Sequence, residues 1–140
     1  FVKKDIEGKV ISLAALKGKY VLLDFWGSWC GPCRASHTHL KELHKKYGDR
    51  VVFINVAQEN IRDVEKAREQ WIQAVNEDGM TWTQVLNNEG REECDVVRLF
   101  NVISFPTKVL IDPQGIVMGM FVGDDADIDS VLRKVMRVWN

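Results

Sequence analysis

Seven residues, YVLLDFW (20–26), form a nearly continuous apolar run. A strand with one wet face alternates apolar and polar residues. An unbroken run of this length marks a strand buried on both faces, in the middle of a sheet. VVFINVA (51–57) reads as a second buried strand and TKVLI (107–111) as a third. Strands of this kind need cover on both faces, and helical periodicity supplies it. Cys33, His37, Leu40, Leu43 and Tyr47 recur at helical spacing up to the stop signal at Gly48. Ile61, Val64, Ala67, Trp71 and Val75 mark one face of a second helix, and Ile128, Val131, Leu132, Val135 and Met136 one face of a last helix.

Between these elements the signals are weaker. Val10, Ile11 and Leu13 suggest a short strand between two glycines. Residues 76–92 read as a polar loop, and 93–102 as a short helix ending near Asn101. DPQG (112–115) has the proline and glycine of a type I turn, so IVMGMFV (116–122) should return antiparallel. The order is strand, helix, strand, helix, hairpin, closing helix. The expected fold class is α/β: a central mixed sheet flanked by helices, as a single domain over residues 1–140.

Several functions are disfavoured at once. No stretch approaches the length needed to span a bilayer. The formal net charge is −1, so nothing electrostatic points to nucleic acid as a partner. Asp124, Asp125, Asp127 and Asp129 form a local acidic cluster where the last helix begins, and helix capping explains them better than metal binding. Three cysteines are too few, and an odd number, for a disulfide-built scaffold. The sequence begins at Phe1 with neither Met nor signal peptide, the form expected of a trimmed or mature fragment from which targeting information could have been removed.

The chemistry concentrates in WCGPC (29–33), directly after the first buried strand. A structural zinc site needs four ligands, and no second ligand pair at suitable spacing accompanies Cys30 and Cys33. A purely structural disulfide across so short a loop would remove little unfolded-state entropy. A redox pair has a mechanism. Pro32 suits the first helical turn, which places Cys30 at a helix N-terminus. Free N–H groups and the macrodipole stabilise a thiolate there. Cys33 lies one turn on, able to resolve a mixed disulfide formed at Cys30. Asp24 interrupts the buried run. It is either a proton partner for Cys33, since burial disfavours the charged carboxylate, or a structural or solvent-facing group; the residues leave both open.

These residues resemble the thioredoxin family. VLLDFWGSWCGPC is similar to its active-site segment, and SFPT (104–107) to the loop that carries its cis-proline. The resemblance implies a thioredoxin-like fold with Cys30 as nucleophile, Cys33 as resolving thiol, Asp24 as the buried acid and Pro106, preceded by a cis bond, facing the dithiol. Trp29, Gly31, Pro32, Phe105 and Thr107 would then border bound substrate. Within the superfamily the chain is most similar to the TlpA/ResA-like branch, which implies an inserted helix between the second βα unit and the cis-proline strand. Ser36 and Thr38 stand where many relatives carry Glu and Pro, and no Lys in VVFINVA is available as a partner for Asp24.

The expected function is a thiol–disulfide oxidoreductase that reduces, or exchanges, disulfides in extracytoplasmic proteins, whether periplasmic or membrane-tethered. No cofactor and no metal are expected. The expected partners are protein disulfides and an upstream thiol electron donor that could be membrane-embedded; the chain is expected to be a monomer. The alternatives are a peroxiredoxin-like peroxidase, which lacks its usual lone cysteine in a Thr-containing loop here, and a non-enzymatic binding module. His37 reads as a half-buried spacer rather than a thiolate stabiliser or metal ligand. His39 and His44 read as helix-surface residues. Cys94 reads as a small buried hydrophobe rather than a regulatory thiol. Trp26 reads as packing, and Trp71, Trp82 and Trp139 as core or interface aromatics.

Overall fold

The computed structural model describes residues 1–123 and 126–139, the side chains of 126, 127, 138 and 139 excepted. The expected roles of Asp124, Asp125, Asp127 and Trp139 lie outside the described groups.

Strand β1 (Val2–Lys4) pairs antiparallel with β2 (Val10–Ser12) in a small separate sheet, and a 3-10 turn follows over Leu13–Leu16. The main sheet holds β3 (Tyr20–Trp26), β4 (Val51–Ala57), β5 (Thr83–Leu86), β6 (Thr107–Ile111) and β7 (Val117–Val122), in the order β5-β4-β3-β6-β7. β3, β4 and β5 run parallel; β6 and β7 run antiparallel to their neighbours. The helices are α1 (Gly31–Tyr47), α2 (Val64–Asp78), α3 (Val96–Leu99) and α4 (Ala126–Trp139).

β3 occupies the centre, and every residue from Val21 to Trp26 is buried. On one face Leu22 and Trp26 meet α1, α2 and α4. Leu22 packs with Leu40, Leu43, Ile128 and Leu132, and Trp26 with Cys33, Ala67 and Trp71. On the other face Val21, Leu23 and Phe25 meet α3 and the N-terminal segment through Val96, Phe1, Leu13 and Leu16. Each fully buried Leu, Val or Phe side chain contributes about 1.5–3 kcal/mol, so the two faces together account for the strict apolar runs. One face is thus covered by three long helices. The other is covered by a single short helix, the 3-10 turn and the β1–β2 pair, because only a one-turn helix lies between β5 and β6.

The helices start and stop for local reasons. Cys30 caps α1: its Sγ accepts from the Cys33 N–H at 3.2 Å, and a proline stands in the first turn. Asp63 caps α2, its carboxylate accepting from Glu65 and Lys66 N–H. Gly79 ends α2 at φ 66°, the left-handed conformation in which a Cβ is strained. Ile61, expected on the helix, precedes it. In the β6–β7 turn Asp112 Oδ1 accepts from Gln114 and Ile116 N–H, closing the hairpin.

One reading of the sequence is corrected. Residues 83–86, expected within a polar loop, form β5, with Ile54 opposite Thr83 and Val56 opposite Val85. The strand is only four residues long. Its outer edge is covered by the chain near β1: Asp5 bridges Val85, and the Ile6 N–H donates to Gln84 O at 2.9 Å.

Candidate active site

The turn from β3 into α1 carries the two thiols. Cys30 and Cys33 are joined by a disulfide with Cα atoms 5.3 Å apart. Cys30 is 5% exposed and Cys33 0%, so Cys30 is the more accessible of the two residues. The Cys33 N–H donates to Cys30 Sγ, and such a donor favours a thiolate over a thiol. Gly31 and Pro32 form the exposed first turn of the helix.

Two neighbouring segments hold this turn. Gln58 N–H donates to Trp26 O at 2.8 Å, and Trp29 Nε1 donates to Gln58 O at 2.8 Å. Glu59, only 2% exposed, accepts from Ser28 N–H at 2.9 Å and from Ser28 Oγ at 2.5 Å. The residues just beyond β4 therefore clamp the residues just beyond β3. Sequence reasoning missed Glu59, whose burial follows from β4 ending beside β3.

The third segment is the 104–107 loop. The Phe105–Pro106 peptide bond is cis. Phe105 packs against the cluster holding Cys30 and Cys33, and its ring lies edge-on to Trp29 with centroids 5.6 Å apart. Trp29 is 47% exposed, so the two rings form an apolar ridge beside Cys30. Thr107 Oγ1 donates to Ser104 O at 2.7 Å, and Pro106 O accepts from Gly123 N–H.

A polar cluster lies inside the core, on β3 and the two strands beside it. Asp24 is 1% exposed, which removes the solvent-facing reading. Its Oδ1 is 3.2 Å from Lys108 Nζ, and its Oδ2 accepts from Asn55 Nδ2 at 3.0 Å. Lys108 and Asn55 stand directly opposite Asp24 on β6 and β4. The lysine absent from VVFINVA is thus supplied by TKVLI.

His37 is not a half-buried spacer: it is 1% exposed, and its ring meets Trp26 edge-on at 4.7 Å. Its Nδ1 is 2.7 Å from Asp78 Oδ2, and its Nε2 is 3.5 Å from Asp24 Oδ2. Asp78 is also bound by Arg34, whose Nη2 donates to Oδ1 at 2.8 Å and whose Nε donates to Oδ2 at 3.1 Å. Burial pushes the Asp78 carboxyl up, but hydrogen bonds from Arg34 and His37 outweigh it and hold the group below its usual range. The Asp78 and Glu77 hydrogen bonds push Arg34 further up.

His44 is also more than a surface residue. It is half-buried, 5.1 Å edge-on from Phe53 and 4.7 Å from Trp82. Cys94 is free, half-buried, and packs on the core across the sheet from the dithiol. Among the described residues no group of three His, Cys, Asp or Glu is placed to hold a metal ion. Among them, too, no helix is long and apolar enough to cross a membrane.

Comparison with known proteins gives a consistent picture. A family model described as Redoxin matches residues 1–136. The thiol-disulfide oxidoreductase ResA of Bacillus thuringiensis is 31% identical over 137 residues, covering 96% of this chain and 74% of that protein. The thioredoxin-like protein YneN of Bacillus subtilis is 31% identical over 123 residues, covering 88% of this chain and 68% of that protein. Among solved structures, the thioredoxin domain of a thiol-disulfide oxidoreductase from Bacteroides vulgatus superposes with a TM-score of 0.80 at 28% identity, covering 96% of this chain and 92% of that one.

Proposed function

The chain belongs to the redoxin family, in the ResA-like branch of the thioredoxin-like superfamily, and is a thiol–disulfide oxidoreductase; on that premise we propose that Cys30 attacks protein disulfides and Cys33 resolves them. The observation that carries the assignment is the difference in access: Cys30 keeps 5% of its surface exposed and Cys33 none. The Cys30 thiolate attacks one sulfur of a substrate disulfide and displaces the other as a thiolate. Cys33 then attacks Cys30 Sγ, the bond to substrate breaks, and the dithiol leaves as the Cys30–Cys33 disulfide. Asp24 takes the Cys33 proton in this step.

Trp29 and Phe105 offer the apolar ridge on which a substrate segment rests. Gly31 and Pro32 leave the first turn open, and the Phe105 backbone would pair with an extended substrate strand. Thr107, expected to border substrate, is 1% exposed and paired with Phe25 and Val122 inside the sheet, so it supports the loop from beneath instead. The Gly-Pro dipeptide resembles that of reducing members, so the proposed direction is reduction, supplied by an upstream thiol donor. By its resemblance to the ResA-like branch the protein works outside the cytoplasm, as one thioredoxin-like domain over residues 1–140.

Trapping tests the assignment. Cys33→Ser should hold substrate proteins on Cys30 as mixed disulfides that dithiothreitol releases, and Cys30→Ser should hold none. The wild type should reduce insulin disulfides and leave peroxide largely unconsumed. Substrate trapped by Cys30→Ser instead would reverse the roles, and rapid peroxide turnover would favour the peroxidase.

A further inference from the structure

His37 is a buried ionisable group that the proposed chemistry does not yet use. It lies one turn beyond Cys33 on the buried face of α1. Its Nδ1 meets a carboxylate bound at the same time by Arg34, so Asp78 accepts and the Nδ1–H donates. The second ring nitrogen, Nε2, is buried with no hydrogen-bond partner among the described residues and lies 3.5 Å from Asp24 Oδ2. In the neutral ring this atom carries a lone pair facing Asp24. Asp78, at the far end, has a side chain 14% exposed, against 1% for His37 and Asp24. The three groups therefore form a path from the centre of the core to water.

We propose that His37 and Asp78 are positioning residues that carry the proton between Asp24 and solvent. This rests on the roles of Cys30, Cys33 and Asp24 given above. In resolution the Cys33 thiol gives its proton to Asp24. The Cys33–Cys30 bond forms, the Cys30–substrate bond breaks, and the substrate thiolate takes a proton from water. The dithiol loses two electrons and the substrate disulfide gains two. Asp24 then passes its proton to His37 Nε2, and the Nδ1 proton leaves through Asp78 to water. When the upstream thiol donor reduces the disulfide again, the same path runs backwards. A proton enters by Asp78 and Nδ1, leaves Nε2 for Asp24, and returns to Cys33, which restores the starting tautomer. Without such a path a fully enclosed Asp24 would exchange protons only when the core opens.

The charged groups around His37 are Asp24 from β3, Lys108 from β6, Arg34 from α1 itself, and Asp78 and Glu77 from α2; β4 contributes the neutral Asn55. Any pH effect on the path reflects this whole set.

The test separates the two half-steps by rapid acid quenching with a model peptide disulfide, across pH, in the full chain. His37→Gln keeps polar contacts and cannot carry a proton; Asp78→Asn alters the outer end of the path. Both should slow the Cys33 step by about tenfold or more and flatten its pH profile, with the Cys30 attack within about twofold of wild type. Should His37→Gln fail to fold, Asp78→Asn reads the same comparison. An unchanged Cys33 step with an unchanged pH profile overturns the path. Equal slowing of both steps also overturns it, since that is what a merely structural cluster would do. A wild type that forms no mixed disulfide at Cys30 tells instead against the underlying roles.

Discussion

Asp24, Asn55 and Lys108 stand side by side on three adjacent strands, each interrupting an apolar run. The sequence shows each interruption, and at Asp24 it is a carboxylate inside a buried run. Their convergence was not legible, because the antiparallel register of β6 against β3 decides that Lys108 faces Asp24. The role of His37 is hidden in the sequence for a similar reason: its two carboxylate partners come from β3 and α2, far apart in the chain. The pairing has a stability signature. Lys108→Met leaves Asp24 buried without its ammonium partner and should cost about 3–5 kcal/mol, read as a lower urea midpoint. Adding Asp24→Asn removes the orphaned charge and should recover part of that loss. A double variant less stable than Lys108→Met alone would count against the ion pair as the cause.

At the level of elements, the buried runs and the helical spacings located β3, β4, β6 and α1 closely. They failed on β5, whose four residues lie among Gly, Asn and Asp signals and gain their strand character from β4 and from the covering residues 5 and 6. The β3–α1 turn shows how little room an active-site connection leaves. A Cβ on Gly27 would stand 2.7 Å from Gln58 O and overlap the Trp29 indole. Gly27→Ala must therefore shift either the backbone that pairs with β4 or the Trp29–Gln58 hydrogen bond. A cost of about 1–3 kcal/mol is expected, together with slower Cys30 attack and a changed Trp29 fluorescence. Wild-type attack rates in a folded Gly27→Ala protein would show that the position of Trp29 does not matter to docking.

Across the whole molecule, His44, Asp78 and Asp95 are charges that folding displaces at helices, and they shape how stability varies from neutral to acid pH. His44 is packed by α1 against Phe53 and Trp82, and burial pulls its imidazole below 6.5. The folded state then binds that proton less readily than the unfolded chain. The His44 contribution is complete above about pH 6.5 and is lost as pH falls through the lower folded value. Asp78 and Asp95 follow at lower pH. Burial raises both carboxyls, but hydrogen bonds outweigh it, from Arg34 and His37 to Asp78 and from Asn87 and the Arg98 N–H to Asp95, so both lie below 3.8. Their stabilisation is present above about pH 4 and disappears as pH falls further. Urea midpoints should therefore hold level from pH 8 to 7, fall between pH 7 and 5, and fall again below pH 4. His44→Leu keeps an apolar contact on Trp82 without a titrating group, so it should shrink the first fall and leave the second. An equal loss between pH 7 and 5 in wild type and His44→Leu would show that another group controls the neutral-to-acid step.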